Sequence, residues 1–218
     1  MSANQDIAAR TGRHEVTHYP VRKFSFPDLD GVAKKAMDTH LELYAGYVKE
    51  ANAIAAALAN PESYTATSET IHARESLARR QAFELNGVHL HELLFEQMED
   101  SDREFGKPLA DSFFLRHITQ ACGGFAGWID DIKLLGKTRG PGWVVTSWDQ
   151  ESQRLNNMWV DLHHLLVPTG QRLVFVLDLW EHAYWDEFGA KGRPEYIDKT
   201  LARTDWTVVE ERLRSGLK

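Results

Sequence analysis

Residues 173–188 read LVFVLDLWEHAYWDEF. An apolar run ends on Asp178, and His182 follows four residues later. The β-branched and aromatic content up to Asp178 reads as a buried strand, and the residues after it as the start of a helix. A carboxylate at the end of a buried strand faces a steep desolvation cost unless something cationic meets it. The plainer reading is a strand end followed by a capped helix. The sharper one is half of a metal site, with Asp178 and His182 as two ligands of one ion.

Outward from this stretch, the period is strand-like in two further runs, GWVVTSWDQ and RLNNMWVDLH. With RLVFVLDLW they predict an antiparallel meander of three strands. A final helix is expected over about 194–215, with Pro194 in its first turn. Upstream, KTRGPGW breaks a helical pattern that predicts short helices at about 109–121 and 125–136. Further back, Val32, Ala36, Leu43, Tyr47, Ala51 and Ile54 recur at helical spacing. That helix opens at an Asp30 cap and ends at Asn60-Pro61. A second long helix covers about 70–99, with Ser68 or Thr70 able to cap it. The pair reads as an αα-hairpin. The fold class is therefore α+β: an N-terminal long α-helical hairpin, then an α/β domain with a three-stranded antiparallel sheet. The expected division is an N-terminal arm over 1–25, the hairpin domain over 26–104 and the C-terminal domain over 105–218.

Composition narrows the function. The 218 residues are 43% hydrophobic and 11% aromatic, as in a folded globular protein. A formal net charge of −7 argues against a general nucleic-acid binder. No apolar run approaches the roughly 18 residues needed to span a bilayer. The one cysteine, Cys122, cannot form an internal disulfide, so a reducing, cytoplasmic setting is expected, with the thiol packed rather than nucleophilic.

The ten histidines carry more chemistry. His40 lies midway along the first helix. His89 and His91 lie in the second, pointing about 200° apart, so only one can face a given site. His91 shares the apolar stripe of Leu94, Phe95 and Met98. Three imidazoles and one carboxylate suit redox-active iron or manganese, and also zinc.

At this point a resemblance enters. DLWEHAYW resembles the D-x-W-E-H-A-[YF]-Y signature of the iron/manganese superoxide dismutases. HELLFEQM, CGGFAGWIDDI, GPGWVV and GRPEYI stand in that family's order, at close to its spacing. The resemblance implies the same helical hairpin and three-stranded sheet, and one iron or manganese ion per subunit held by His40, His91, Asp178 and His182. It implies conversion of superoxide to oxygen and hydrogen peroxide by metal(III)/metal(II) cycling, in a homodimer or homotetramer, with no nucleic acid or membrane partner. His163, 15 residues before Asp178, falls where some members carry a histidine that hydrogen-bonds to the metal's solvent. Gly87 stands where other members place a glutamine for that purpose. On a strand, His164 would point to the opposite face from His163. Trp143 and Trp180 are expected near the metal, and Glu181 at the interface with a partner subunit.

Four positions depart from the family pattern when the first helix is aligned without a gap. Its first-helix motif is H-H-x-x-H-H-x-x-Y, and this chain reads HLELYAGYV after Thr39. An ungapped alignment, favoured because a regular helix resists deletion, puts Val48 at the tyrosine position and Tyr44 at the later histidine. A one-residue gap recovers Tyr47 instead. Trp185 replaces the signature's final tyrosine, which in the family bridges the dimer, and Val145 replaces an aromatic. The expected function is an iron- or manganese-dependent superoxide dismutase with a rebuilt gate. The alternatives are a dismutase-like metalloprotein oxidising an organic substrate and a non-catalytic interaction module.

Overall fold

The computed structural model describes residues 18–26, 34–60, 68–99 and 106–216. Most of the expected arm, the Asp30 cap, Pro61 and the residues at 100–105 lie outside them. Two long helices come first, α1 (Lys34–Ala59) and α2 (Ser68–Glu96). Helix α2 starts two residues before the expected 70 and ends at Glu96, three before 99. Gln97 then leaves the helix and uses its amide as a strand would. Its Nε2 donates to the Val176 carbonyl (2.6 Å), and its Oε1 accepts from Val176 N (3.3 Å). Those bonds satisfy an edge of the sheet that would otherwise be left unpaired and buried.

Helices α3 (Phe113–Cys122) and α4 (Phe125–Leu135) follow. Ser112 caps α3 by accepting from Leu115 N, and Gly123 closes it in the left-handed conformation (φ 76°), which a glycine adopts without a Cβ clash. Glu210, far along the chain, accepts from the free N–H groups of Phe113 and Phe114 at 2.9 and 2.8 Å. A carboxylate is stabilised there by the helix dipole as well as by the hydrogen bonds.

The strands are β1 (Gly142–Asp149), β2 (Arg154–Asp161) and β3 (Gln171–Asp178), all antiparallel. Their order is β2-β1-β3, so β1 is central and the sheet is not the expected meander. The connection from β2 to β3 carries the chain past β1 to its free edge. Sheet alternation then divides the core. Val144, Trp148, Phe175 and Leu177 pack with α3, α4 and the C-terminal helices, while Trp143, Val145, Val160 and Val176 pack with the hairpin. Asp178 has the parity of Val176, so alternation aims it at the hairpin.

Three helices close the chain: α5 (Glu181–Phe188), α6 (Arg193–Ala202) and α7 (Trp206–Ser215). The single helix expected over 194–215 is thus two. Asp205 is the break, because its side chain accepts from Thr207 N and starts α7, while its own N–H goes to Gln97 O at 2.8 Å. An aspartate gains more as a cap than inside a helix. Arg212 of α7 then clamps the end of α2, donating to Leu93 O (2.6 Å) and Glu96 (2.9 Å). Among the described residues, no helix is long and apolar enough to cross a membrane.

Candidate metal centre

Four elements meet where the hairpin packs on the sheet end. Helix α1 supplies His40, α2 supplies His91, β3 ends on Asp178, and α5 supplies His182 one turn later. One potential ligand atom from each lies within 4.8 Å of all the others. The Nε2 atoms of His182, His40 and His91 stand 2.9, 3.1 and 3.6 Å from Asp178 Oδ2. His40 and His91 share a T-shaped contact at 5.0 Å, as rings do when their nitrogens converge on one point.

Protonation favours ligation. His91 Nδ1 lies 2.6 Å from the Gly87 carbonyl, an acceptor, so that nitrogen carries the proton and Nε2 is left as a lone pair. This Nε2 is buried and has no hydrogen-bond partner. A buried nitrogen lone pair without a donor costs energy unless a cation fills the role. Burial pushes the His40 and His91 pKa values down, which keeps the rings neutral and able to coordinate. At Asp178 burial acts to raise the pKa, but His182 and His40 outweigh it and hold the carboxyl well below the usual range. Its other oxygen, Oδ1, accepts from Trp180 N at 2.9 Å, fixing the carboxylate's orientation. The donor set therefore fits a metal ion of the iron, manganese or zinc kind.

Beside this group lies a second layer built on His163. Its position comes from a turn rather than from strand alternation, since β2 ends at Asp161 and Leu162 adopts a positive φ of 53°. The turn is tied down by the Asp161–Leu165 bridge and by Trp180 Nε1, which donates to Leu162 O at 3.2 Å. His163 is fully buried, whereas His164 is half-buried and meets Phe83 edge-on. Trp143, paired opposite Asp178 in the sheet, donates from Nε1 to His163 Nδ1 at 3.0 Å. An indole N–H can only donate, so the proton of neutral His163 sits on Nε2. That nitrogen lies 2.9 Å from the Tyr47 hydroxyl and donates to it. Burial pushes the His163 pKa down to about 4, so the neutral form holds at ordinary pH. Trp180 stacks on His163 at 4.6 Å and on His182 at 5.7 Å.

Tyr47, not Val48, thus faces the centre, and the ungapped alignment does not hold for this side chain. Helix α1 is continuous, so nothing is deleted. Seven residues of helix return Tyr47 to within about 20° of the His40 direction, whereas Val48 is about 80° away. Val48 packs instead in the buried hairpin core. The Tyr47 ring stacks on His91 (5.1 Å, 30°) and fills the space over Gly87, where an added Cβ would sit 2.7 Å from Tyr47 Cδ1. Gly87 is small because a tyrosine lies across it. Burial, followed by the charges of Asp178 and Glu84, raises the Tyr47 pKa and keeps the phenol protonated.

Tyr44 is turned to its own chain. Its hydroxyl donates to Glu92 Oε1 (2.7 Å) and accepts from Arg22 N (3.1 Å), and the residue is fully buried. Burial, with the nearby Glu92, pushes its pKa up to about 12. Glu181 and Trp185 lie on the outer side of α5, exposed, and neither reaches the four-residue group within this chain. His89 is exposed and touches Tyr19. Cys122 is half-buried against the core shared by α3, α4 and the C-terminal helices, with its pKa raised by burial, consistent with a packed thiol. Two aromatics went unassigned in the sequence. Phe95 packs on His40 and His91, and Phe83 on His163 and Tyr47. Phe95, four residues after His91, lies about 40° from its direction on the helix, whereas Phe83, eight before, lies about 80° away, so spacing signalled only the first.

Fold and site together define an α+β protein with a buried three-histidine, one-aspartate group at the junction of a helical hairpin and a sheet. The model of the iron/manganese superoxide dismutase C-terminal domain matches residues 111–212. A "Superoxide dismutase [Fe]" of Cupriavidus metallidurans is 29% identical over 194 residues, covering 87% of this chain and 92% of its own. One of the same name from Aquifex pyrophilus is 29% identical over 194 residues, covering 88% of each chain. A "Superoxide dismutase [Mn]" of Haloarcula marismortui is 29% identical over 131 residues, covering 60% of this chain and 62% of its own. The chain is thus similar to the iron/manganese superoxide dismutases, its sheet-bearing part matching the model of their C-terminal domain.

Proposed function

We propose that this chain is an iron- or manganese-dependent superoxide dismutase, with His40, His91, Asp178 and His182 as the ligands. The observation that carries the reading is the convergence of four potential ligand atoms within 4.8 Å, one of them a buried nitrogen with no other partner. A redox-active ion held there would supply an electron carrier, oxidised and reduced in turn by two superoxide anions. Two superoxides and two protons then give one oxygen and one hydrogen peroxide.

The chain's own residues handle orientation and protons. Asp178 places a full negative charge beside the site, which favours the higher oxidation state and lowers the reduction potential. Trp143 fixes the His163 tautomer, and His163 uses its Nε2–H on Tyr47, so the phenolic hydrogen of Tyr47 is free to be donated to a reduced oxygen species. Trp180, Phe95 and Phe83 line the surroundings with rings, limiting water near the group.

The same reading includes a homodimer in a cytoplasmic setting, with Glu181 and Trp185 on the face directed to the partner subunit. Trp185 is 50% exposed on that face, and tryptophan is enriched at protein interfaces, which supports it. In this chain the division at about residues 26 and 105 corresponds to the arm, the hairpin and the sheet-bearing part. Substitution tests the ligand set. Asp178→Ala and His182→Ala are expected to abolish both metal retention and superoxide removal, and either variant keeping both would overturn the assignment.

A further inference from the structure

Arg80 and Glu84 are a charged pair on α2 that the chemistry above does not use. Glu84 is buried, its side chain 2% exposed, while Arg80 is 58% exposed and donates from Nε to Glu84 Oε1. Burial raises the Glu84 pKa and Arg80 opposes that rise, so the acid depends on this cation. The Arg80 guanidinium also lies over the Phe83 ring, 4.1 Å from its centroid. That ring is packed on its other contacts against His163 (4.7 Å) and Tyr47 (6.1 Å). Arg80 is therefore one aromatic ring away from the His163–Tyr47 pair, and its charge acts on both. Arg193, another cation among the described residues, is turned to backbone, donating to Thr138 O, Gly140 O and Leu179 O.

The pair is thus a dipole with its positive end toward solvent and its negative end toward the protein interior. A chain of net charge −7 repels a small anion at long range. The exposed guanidinium places a positive charge on the solvent side of Phe83. We propose that Arg80, held over Phe83 and partly neutralised by Glu84, is the positioning residue that guides the anionic substrate of the proposed dismutase to the Tyr47–His163 side of the centre. This deepens the reading above and rests on it. Arg80 acts on approach alone and touches no reacting atom.

The two residues give opposite signs, which separates guidance from a structural role. At about 10 Å in water a unit charge alters the approach of a monovalent anion by roughly twofold, rising toward fourfold where protein displaces solvent. Arg80→Gln is expected to slow association by about that factor at low ionic strength. Glu84→Gln keeps an acceptor for Arg80 and removes the opposing charge, so it is expected to accelerate association. Arg80→Lys keeps the charge and is expected to stay near the parent rate.

The probe is azide, a monovalent anion, mixed rapidly with the iron(III)-loaded protein and followed by the absorbance of the iron. Superoxide decay is measured in parallel on the same variants. At about 0.01 M ionic strength charges act over about 30 Å, and at about 1 M over about 3 Å, so the differences should be present in the first and vanish in the second. The proposal is overturned if Arg80→Gln leaves the low-salt rate unchanged, if it slows association equally at both ionic strengths, or if Glu84→Gln slows it too. A parent protein that binds azide with this pattern but does not remove superoxide refutes the dismutase reading and leaves the role of Arg80 in anion approach standing.

Discussion

Replacing Gly87 by alanine tests the packing that brings Tyr47 to the centre. The new Cβ would lie 2.7 Å from Tyr47 Cδ1 and 2.9 Å from Cγ, with a third ring carbon at 3.2 Å. Carbon atoms rest at about 3.5–4.0 Å, so ring or helix must give by roughly 1 Å. The ring cannot retreat freely, because His91 stacks on it and its hydroxyl is held 2.9 Å from His163. A shift of that size stretches the bond beyond hydrogen-bonding range. Overpacking costs about 1–3 kcal/mol and the lost bond about 1 kcal/mol. Alanine returns about 1 kcal/mol of helix propensity. Gly87→Ala is therefore expected to destabilise the metal-free protein by about 1–3 kcal/mol in urea unfolding. In a Tyr47→Ala background the clash is gone, and the same change should stabilise by about 1 kcal/mol. A stabilising effect in the parent protein would refute the claim that Tyr47 lies across Gly87.

Other expectations follow from the same geometry. Glu96 is half-buried, which acts to raise its pKa, but hydrogen bonds from Arg22 and Arg212 outweigh this and hold it below the usual carboxylate range. A depressed acid stabilises the fold above its unfolded pKa and stops doing so as pH falls through its folded value. Urea midpoints should therefore drop more steeply in acid for the parent than for Glu96→Gln, and parallel curves would contradict this. Trp143→Phe removes the donor to His163 Nδ1, so nitrogen shifts of His163 should lose the pure Nε2–H signature; an unchanged spectrum would refute the tautomer argument. Because the four proposed ligands come from the hairpin and from the sheet-bearing part, chelation should lower the thermal midpoint. At a thousandfold excess of free ion over its dissociation constant, the loss is about 4 kcal/mol. An unchanged midpoint would contradict ligation by all four residues.

Much of the centre could be read from residues 173–188. A buried run that ends on an acid and is followed one turn later by a histidine has few low-energy explanations, and alternation fixes which way Asp178 points. Helical period placed His91 on an apolar stripe, but it was the family resemblance, not the period, that named His40 and His91 as ligands. What escaped depended on contacts between distant segments. Helical period sets Tyr47 nearer the His40 direction than Val48, but the space over Gly87 that receives its ring belongs to the second helix and is not legible in the first. The inward turn of His163 depends on a positive φ at Leu162 and on the indole of Trp180, neither legible as a strand continuation. Strand order was likewise silent, since local pattern identifies strands without saying which is central. The break at Asp205 was legible in principle, as an acid able to cap, but helical periodicity on both sides masked it.

The dismutase account is tested most directly by one preparation carried through two readings, metal content by elemental analysis and superoxide decay by absorbance. The account predicts about one iron or manganese ion per chain and superoxide removal that rises in proportion to that metal. A protein carrying its full complement of iron or manganese that removes superoxide no faster than buffer would contradict it.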